Sequence, residues 1–483
     1  MLRPSLKDFL QMAKPGHIVP VIMEVPSDRI TPVDAYYAVS ASYLLESAEK
    51  GLHLGRYSFL GVDPCAVIEV RGTKCRITED GKTRELAAVD PLRAVKDFLA
   101  ARPFSGEGDL SPFPGGAVGY IGYEAVSRFE SVKLDESKPG LDIPDACFMV
   151  TRYTLVFDNL MHTLKIIYNV NAGKDPESDY ADAVMMLTQM SDRISAGAPG
   201  PVDTPVIGDN IRQVTSKNEF VSSVNKIREY IIAGDAIQVV LSQQMEVDFK
   251  GDPFCVYRSL RSINPSPYMF FLNMQGFTLL GASPEVMVKV DKNRAMLRPI
   301  AGTRRRGINV EEDEALQREL LADNKERAEH IMLVDLARND LGRIAKPGTV
   351  KVERFMEVEM YSHVMHIVSE VSAQCREDSD PVDVIRAVFP AGTVSGAPKV
   401  RAMEIIDELE RVKRNHYAGL VGYFSYNGNF DSCITIRSAA VKNDKMYLQS
   451  GAGIVYDSDP DKEYQETMSK IEALVEALKN GRN

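Results

Sequence analysis

Over the first 195 residues the apolar positions alternate in short runs. In CAVIEVRG (65–72) and TLKIIYNV (163–170) every second side chain is apolar or nearly so, which predicts half-buried strands. From about residue 215 the period lengthens. In TSKNEFVSSVNKIREYIIAGD, Phe220, Val224, Ile227 and Ile231 share one helical face, and Ser216 with Glu219 has the spacing of a capping box. Strands are predicted for AIQVVLSQQMEV (236–247), PYMFFLN (267–273), TVKVERFMEVEM (349–360) and YSHVMHIVSEV (361–371). VMVKVDKNRAMLRPI (286–300) reads as a hairpin closed at DKNR. Helices are predicted within residues 310–340, over APKVRAMEIIDELERV (397–412), and over the closing PDKEYQETMSKIEALVEALKN (460–480).

These elements follow each other without strict βαβ alternation, so the fold class is α+β. The Gly-, Pro- and Asp-rich stretch SAGAPGPVDTPVIGDN predicts a linker over residues 196–210. It divides a β-rich region, 1–195, from a region at 211–483 that holds the chemistry.

Composition narrows the function. The chain has 483 residues, 44% hydrophobic and 26% charged, with a formal net charge of −11. A protein that grips a nucleic-acid backbone needs a positive footprint, which this balance denies. The three arginines of RPIAGTRRRG (298–307) are therefore a local feature, and at least two of Arg304, Arg305 and Arg306 read as a solvated face. The six cysteines have no CxxC pairing and fit a reducing compartment. MLRPSLKDFLQMAKPG lacks an apolar leader core and no long apolar run follows, so the expected location is the cytoplasm.

Four segments carry polar residues that a core would not choose. In KERAEHIMLVDLARND, Glu326, Glu329 and His330 fall within about one helical turn beside an apolar stripe. In DPDKEYQETMSK, Glu463 and Glu466 share another helical face, and two such helices together offer hard oxygen donors for a divalent ion. FPAGTVSGAPKVRAMEII (389–406) runs a small-residue turn into a helix near Pro398, the pattern of an anion site. In SCITIRSAAV, Arg437 reads as a residue within a strand, either an edge snorkeller or a carboxylate clamp. Gly451, Ala452 and Gly453 leave backbone bare for a ligand. The sum is a cleft for a small polyanion, and no GxxxxGK[ST] loop argues for a nucleotide.

Eleven ordered segments resemble the chorismate-utilising enzymes, and most closely the large components of anthranilate synthase. They are LLES (44–47), NPSPYMFF (264–271), GASPE (281–285), PIAGT (299–303), AEHIMLVDLARNDLGRI (328–344), VMH (364–366), GTVSGAPKVRAMEII (392–406), YAGLVGY (417–423), CITIRSA (433–439), QSGAGIV (449–455) and EYQETMSK (463–470). The resemblance implies a large two-sheet sandwich flanked by helices, with the N-terminal region packed on it. It implies Mg²⁺ held by Glu329 and Glu466, with Glu326 and Glu463 behind them. Arg437, Tyr417, Gly302, Thr303 and the backbone of Gly451, Ala452 and Gly453 would take the two carboxylates of chorismate. His366 would lie near the ring, with Thr393 in the same pocket, and Glu285 would protonate the departing C4 hydroxyl.

The resemblance also separates sister reactions. Relatives that add water use a lysine base where this chain has Gln238, and aminodeoxychorismate synthases often carry a lysine nucleophile where it has Ala301. Both departures imply amination of chorismate to anthranilate. No cysteine has the setting of a glutaminase nucleophile, so ammonia is expected from solution or from a separate glutamine amidotransferase subunit in a hetero-oligomer. The alternatives are an aminodeoxychorismate synthase, or a silent relative that binds tryptophan. The second has no need of so costly a cluster of carboxylates. Finally, LLES and NPSPYM imply an allosteric L-tryptophan pocket with Ser47, Pro267, Tyr268 and Met269.

Overall fold

In a computed structural model of the protein, residues 2–47, 55–87, 90–106, 110–198, 200, 206–361 and 364–480 are described. Their 23 strands join one continuous hydrogen-bonded network. Two of its long strands, Tyr57–Arg71 and Ala146–Asp158, pair antiparallel and explain the layering. Successive side chains of a strand point to opposite faces. Here Ala66, Ile68, Val70, Phe148 and Val150 enter a cluster with Leu92, Val95, Val384 and Ile385 of the helices Pro91–Ala100 and Pro381–Val388. Val67, Cys147 and Met149 enter another cluster, with Val118, Phe270, Leu279 and Val421 from other strands. The network thus folds over so that two of its faces pack together, and helices cover the outside. This is the helix-flanked sandwich that the resemblance implied, with its layers continuous through shared strands.

A third cluster gathers Phe9, Ala35, Leu187, Phe254, Leu260, Ile471 and Leu474 from five helices against the sheet. Among the described residues, no helix is long and apolar enough to cross a membrane. All six cysteines are free thiols.

Local signals hold where local chemistry decides. The helix Lys217–Ile232 starts in the expected capping box, with Ser216 accepting from the Glu219 N–H and Glu219 accepting from the Ser216 N–H, a device worth about 1 kcal/mol. The hairpin Val286–Asp291 to Arg294–Leu297 turns on Lys292 and Asn293, both at positive φ, the geometry of tight hairpin turns. Two expectations differ. The segment 196–210 ends in a strand, Val206–Gln213, which pairs with Gln238–Lys250 around a bulge, while Ala196 closes the helix Pro176–Ala196. Residues 199 and 201–205 lie outside the described residues. Apolar Val206, Ile207 and Ile211 beside an open ladder give their backbone groups partners that water would otherwise supply. Strands from both sides of this segment also pair with each other, Tyr43–Glu46 with Tyr268–Met274 and Gly116–Ile121 with Leu420–Ser425.

The second difference is Arg437. It stands between the strands Phe430–Ile434 and Ser438–Lys442 rather than inside one, at φ +50. A non-glycine residue there is strained by steric contact of its own β-carbon, and such strain concentrates at functional sites.

Candidate active site

The strand Ile300–Arg305 pairs with Val364–Gln374 so that Thr303 stands opposite His366. The register shifts between Ala301 and Thr303, where Gly302 takes φ +68, a conformation that glycine adopts without penalty. A β-carbon on Gly302 would come 3.1 Å from Glu326 Oε2, so the bulge presses this backbone against the helix Asn324–Gly342. His366 Nδ1 lies 3.1 Å from the Gly302 carbonyl and 3.1 Å from Thr303 Oγ1. A carbonyl only accepts, so Nδ1 carries the proton and Nε2 is the acceptor nitrogen. Burial pulls the pKa of His366 below its ordinary value, against the opposing effect of the Gly302 bond, and the ring rests neutral.

The same helix brings Glu326 and Glu329 toward the closing helix Pro460–Asn480 with Glu463 and Glu466. Burial raises the pKa of Glu329, and the charges of Glu326 and Glu466 raise it further. Burial also raises Glu463, again with help from Glu466. Carboxylates this close repel one another, which a shared cation relieves. Pairing within the helix Asn324–Gly342 does not account for Glu326 and Glu329: Lys325 reaches Asp457 at 3.7 Å, and Glu326 takes Arg304 Nη1 at 3.0 Å. Among the described residues no three His, Cys, Asp or Glu side chains form a closed metal-binding group. The donors fit a hard ion that takes one or two protein carboxylates and completes its shell with water and substrate.

Opposite the carboxylates, the strand Lys445–Ile454 pairs with Gln238–Lys250, setting Gly451 across from Ser242 and Gly453 across from Val240. Both glycines are required by close approach. A β-carbon on Gly451 would sit 2.8 Å from Tyr417 Oη, and one on Gly453 would overlap Gln238 Nε2. The Gly-Ala-Gly backbone therefore lies directly under Tyr417 and Gln238. Arg437 is half-buried near them. Burial lowers its pKa while Tyr417, Glu285 and Glu466 act in the opposite sense. A guanidinium so enclosed gains most from a carboxylate that it can bind by two bonds.

Glu285 is the most strongly shifted acid of the site. Burial raises its pKa to about 7 against the opposing effects of the Thr393 hydroxyl, Arg437 and Lys470. Thr393 Oγ1 donates to Glu285 Oε1 at 2.9 Å. Thr393 lies in the short helix Gly392–Ser395, and Pro398 is the N-cap of the helix Lys399–Leu409 rather than its first residue. Ala397 pairs with Gln238, so part of this turn joins the sheet.

One residue of this cluster has no role in the sequence reading. Lys470 Nζ lies 2.6 Å from Glu466 Oε1 and donates to the Gly451 carbonyl at 2.9 Å. Its one-turn spacing from Glu466 was the available signal, but i,i+4 Glu–Lys pairs are common on any exposed helix. The triple arginine is consumed internally. Arg304 pairs with Glu319, Asp323 and Glu326, Arg305 with Glu312, and Arg306 with Asp313. These ion pairs brace the helices that flank the bulge; Arg305 stays exposed, as the solvated reading expected, while Arg304 and Arg306 are partly buried in their pairs.

A second cavity, of about 360 Å³, lies away from this cluster and is lined by Ser47, Tyr57, Phe59, Pro267, Tyr268 and Met269, among others. Ser47 Oγ is buried there with no partner among the described residues. Tyr268 Oη donates to Asp431 at 2.9 Å, and Met269 pairs with Glu46.

Residues 40–476 match the family model described as chorismate binding enzyme. The chain belongs to the chorismate-binding enzymes. Within that family it is 45% identical to the anthranilate synthase component 1 of Acetivibrio thermocellus, over 99% of both chains. It is 42% identical to that of Aquifex aeolicus, over 99% of this chain and 98% of the relative. The crystal structure of anthranilate synthase component I from Streptococcus pneumoniae superposes with a TM-score of 0.78 at 34% identity, covering 93% of this chain and 98% of that one. The menaquinone-specific isochorismate synthase of Escherichia coli, 18% identical with a TM-score of 0.71 over 98% of this chain and 99% of that one, shares the chorismate-binding fold.

Proposed function

We propose that this chorismate-binding enzyme is an anthranilate synthase component 1, converting chorismate and ammonia to anthranilate, pyruvate and water. The observation that carries this reading over the sister reactions is Gln238. Its amide fills the space above Gly453, where a relative that hydrates chorismate has a lysine base, and an amide cannot deprotonate water. Ala301, in the strand beside His366, likewise offers no amine.

Arg437, Tyr417, Gly302, Thr303 and the Gly451, Ala452 and Gly453 backbone bind the two carboxylates and fix the ring beside His366. Mg²⁺, held by Glu329 and Glu466, supplies Lewis-acid polarisation of the ring carboxylate when bound. Burial raises the pKa of Glu285 to about 7, so a large share of it still carries its proton at neutral pH. It gives that proton to the C4 oxygen, which leaves as water while ammonia bonds to C2. Loss of the C2 proton, cleavage of the C3–O bond and protonation of the enolpyruvyl methylene then release pyruvate and restore the aromatic ring. Lys470 keeps Glu466 and the Gly451 carbonyl at a fixed separation during these steps.

Ammonia comes from solution or from a glutamine amidotransferase partner in the cytoplasm, where six free thiols stay reduced. With ammonium the purified chain should form anthranilate, followed by its fluorescence. With glutamine it should form none until the partner is added, and strong glutamine turnover by the chain alone would refute this part.

The cavity at Ser47 is the site proposed for L-tryptophan as feedback inhibitor, within the size range of small-ligand pockets. Its coupling path is short. Tyr268 pairs with Ser283, whose Oγ lies 3.3 Å from the Glu285 N–H, and the neighbour of Cys433 in the cavity wall, Ile434, donates its N–H to the Glu285 carbonyl. A ligand that binds one arrangement of these strands better than another shifts their populations, and the factor by which it weakens chorismate binding is the factor by which chorismate weakens its own. Ser47→Phe should abolish inhibition by L-tryptophan while leaving kcat within about twofold. Equal inhibition of both proteins in a tryptophan titration would remove Ser47 from the site.

A further inference from the structure

We propose that Arg414, clamped by Glu410, is the positioning residue that holds the Thr393 turn, and through it Glu285, in register with the strand beneath the substrate. This rests on the reading of Glu285 as the proton donor. Arg414 is 1% exposed and Glu410 7% exposed. Their fork is bidentate, with Arg414 Nε 2.8 Å from Glu410 Oε2 and Nη2 2.6 Å from Oε1. The remaining donors go to backbone of the site. Nη1 donates to the Val394 carbonyl at 2.7 Å, one residue after Thr393, and Nη2 donates to the Val240 carbonyl at 2.7 Å, in the residue opposite Gly453. Glu410 Oε1 also accepts from the N–H and hydroxyl of Ser242, the residue opposite Gly451.

The loop that carries Arg414 is fixed from its other side. The backbone N–H groups of Arg414 and Asn415 donate to the Glu124 carboxylate at 2.7 and 2.9 Å. The guanidinium carbon lies 4.7 Å from the Tyr123 ring and 5.6 Å from the ring of Tyr417, which overhangs Gly451. The Arg414–Glu410 pair thus joins the Thr393 turn, both strand positions facing the Gly-Ala-Gly backbone, and Tyr417.

A buried ion pair is a poor source of stability, because desolvation cancels most of its attraction, and apolar residues of similar volume often do as well. What such residues cannot replace is the fixed distance between the Val394 and Val240 carbonyls. A displacement of about 1 Å at a reacting group can cost on the order of 10²-fold in rate. The groups that face Glu285 are Thr393, Arg437 and Lys470. Thr393 favours the carboxylate, so losing its bond moves the Glu285 titration to higher pH.

The experiment compares Thr393→Val, Glu410→Gln, Arg414→Lys and the apolar pair Glu410→Leu/Arg414→Met, each checked for folding by thermal melting. The readouts are kcat and KM for chorismate with saturating ammonium across pH. Thr393→Val should move the alkaline limb of kcat upward. Glu410→Gln, Arg414→Lys and the apolar pair should lower kcat by about tenfold to 10²-fold, change KM by less than threefold, and move the limb in the same direction. Adding Glu410→Gln to Thr393→Val should move it no further. If any one of the three Arg414–Glu410 variants does not fold, the folded ones decide, the apolar pair being the least exposed to that failure. A limb moved by Thr393→Val but unmoved by every folded Arg414–Glu410 variant overturns the positioning role. A limb unmoved even by Thr393→Val overturns the proton-donor reading of Glu285 instead.

Discussion

Glu285→Gln is expected to lower kcat by about 10³-fold, with KM for chorismate within about threefold of the parent, since proton transfer by a positioned acid contributes about 10²–10⁴-fold. Glutamine keeps the size of the side chain and an acceptor for the Thr393 hydroxyl, which donates to Glu285 at 2.9 Å. It has no proton to give to a departing oxygen. The pH profile carries the sign. Burial raises the Glu285 pKa to about 7, so the active, protonated form is the main one below that pH and falls tenfold per unit above it. A bound dianionic substrate shifts the limb further upward. The parent should therefore lose kcat on the alkaline side at saturating ammonia, and the residual activity of the variant should lack that limb. Retention of both rate and limb in Glu285→Gln would assign the proton to another group.

Glu466→Gln is expected to cut turnover by about 10²-fold or more at sub-millimolar Mg²⁺, with partial recovery as Mg²⁺ rises and an unchanged melting temperature. Glu466 is half-exposed, with 50% of its side chain accessible, and its partner Lys470 keeps the Gly451 carbonyl as an acceptor when it is lost. Removing one of two anionic ligands weakens a hard ion held mainly by charge. The change also frees Lys470 from its 2.6 Å pairing and removes one of the charges that raise Glu329. The Glu329 pKa should fall in the variant, since a like charge beside it is gone. Near-parental turnover at micromolar Mg²⁺ would contradict the assignment of Glu466 as a ligand.

How much of this was legible depended on the range of the interaction involved. The Ser216–Glu219 box and the turn at Lys292 and Asn293 are settled by neighbours in sequence, and the periodicity around them was enough. The strand Val206–Gln213 was hidden because its apolar residues sit among Gly, Pro and Asp, and only an adjacent ladder edge turns them into a strand. Arg437 was placed inside a strand because its neighbours are apolar. Its positive φ comes from the sheet on either side, with its carbonyl accepting the Ala282 N–H at 3.0 Å. In the site, the carboxylates and glycines were visible because cores avoid the former and turns or close approaches need the latter. Lys470, Glu410 and Arg414 were not, since each is ordinary on a helix or after one until its distant partners are known.

The fate of chorismate on this chain decides which reaction it catalyses. Purified protein given chorismate, Mg²⁺ and ammonium should release anthranilate and pyruvate in equal amounts, with both products lost when EDTA is added and restored by excess Mg²⁺. Isochorismate, an aminated product that retains its enolpyruvyl group, or undiminished turnover in EDTA would contradict it.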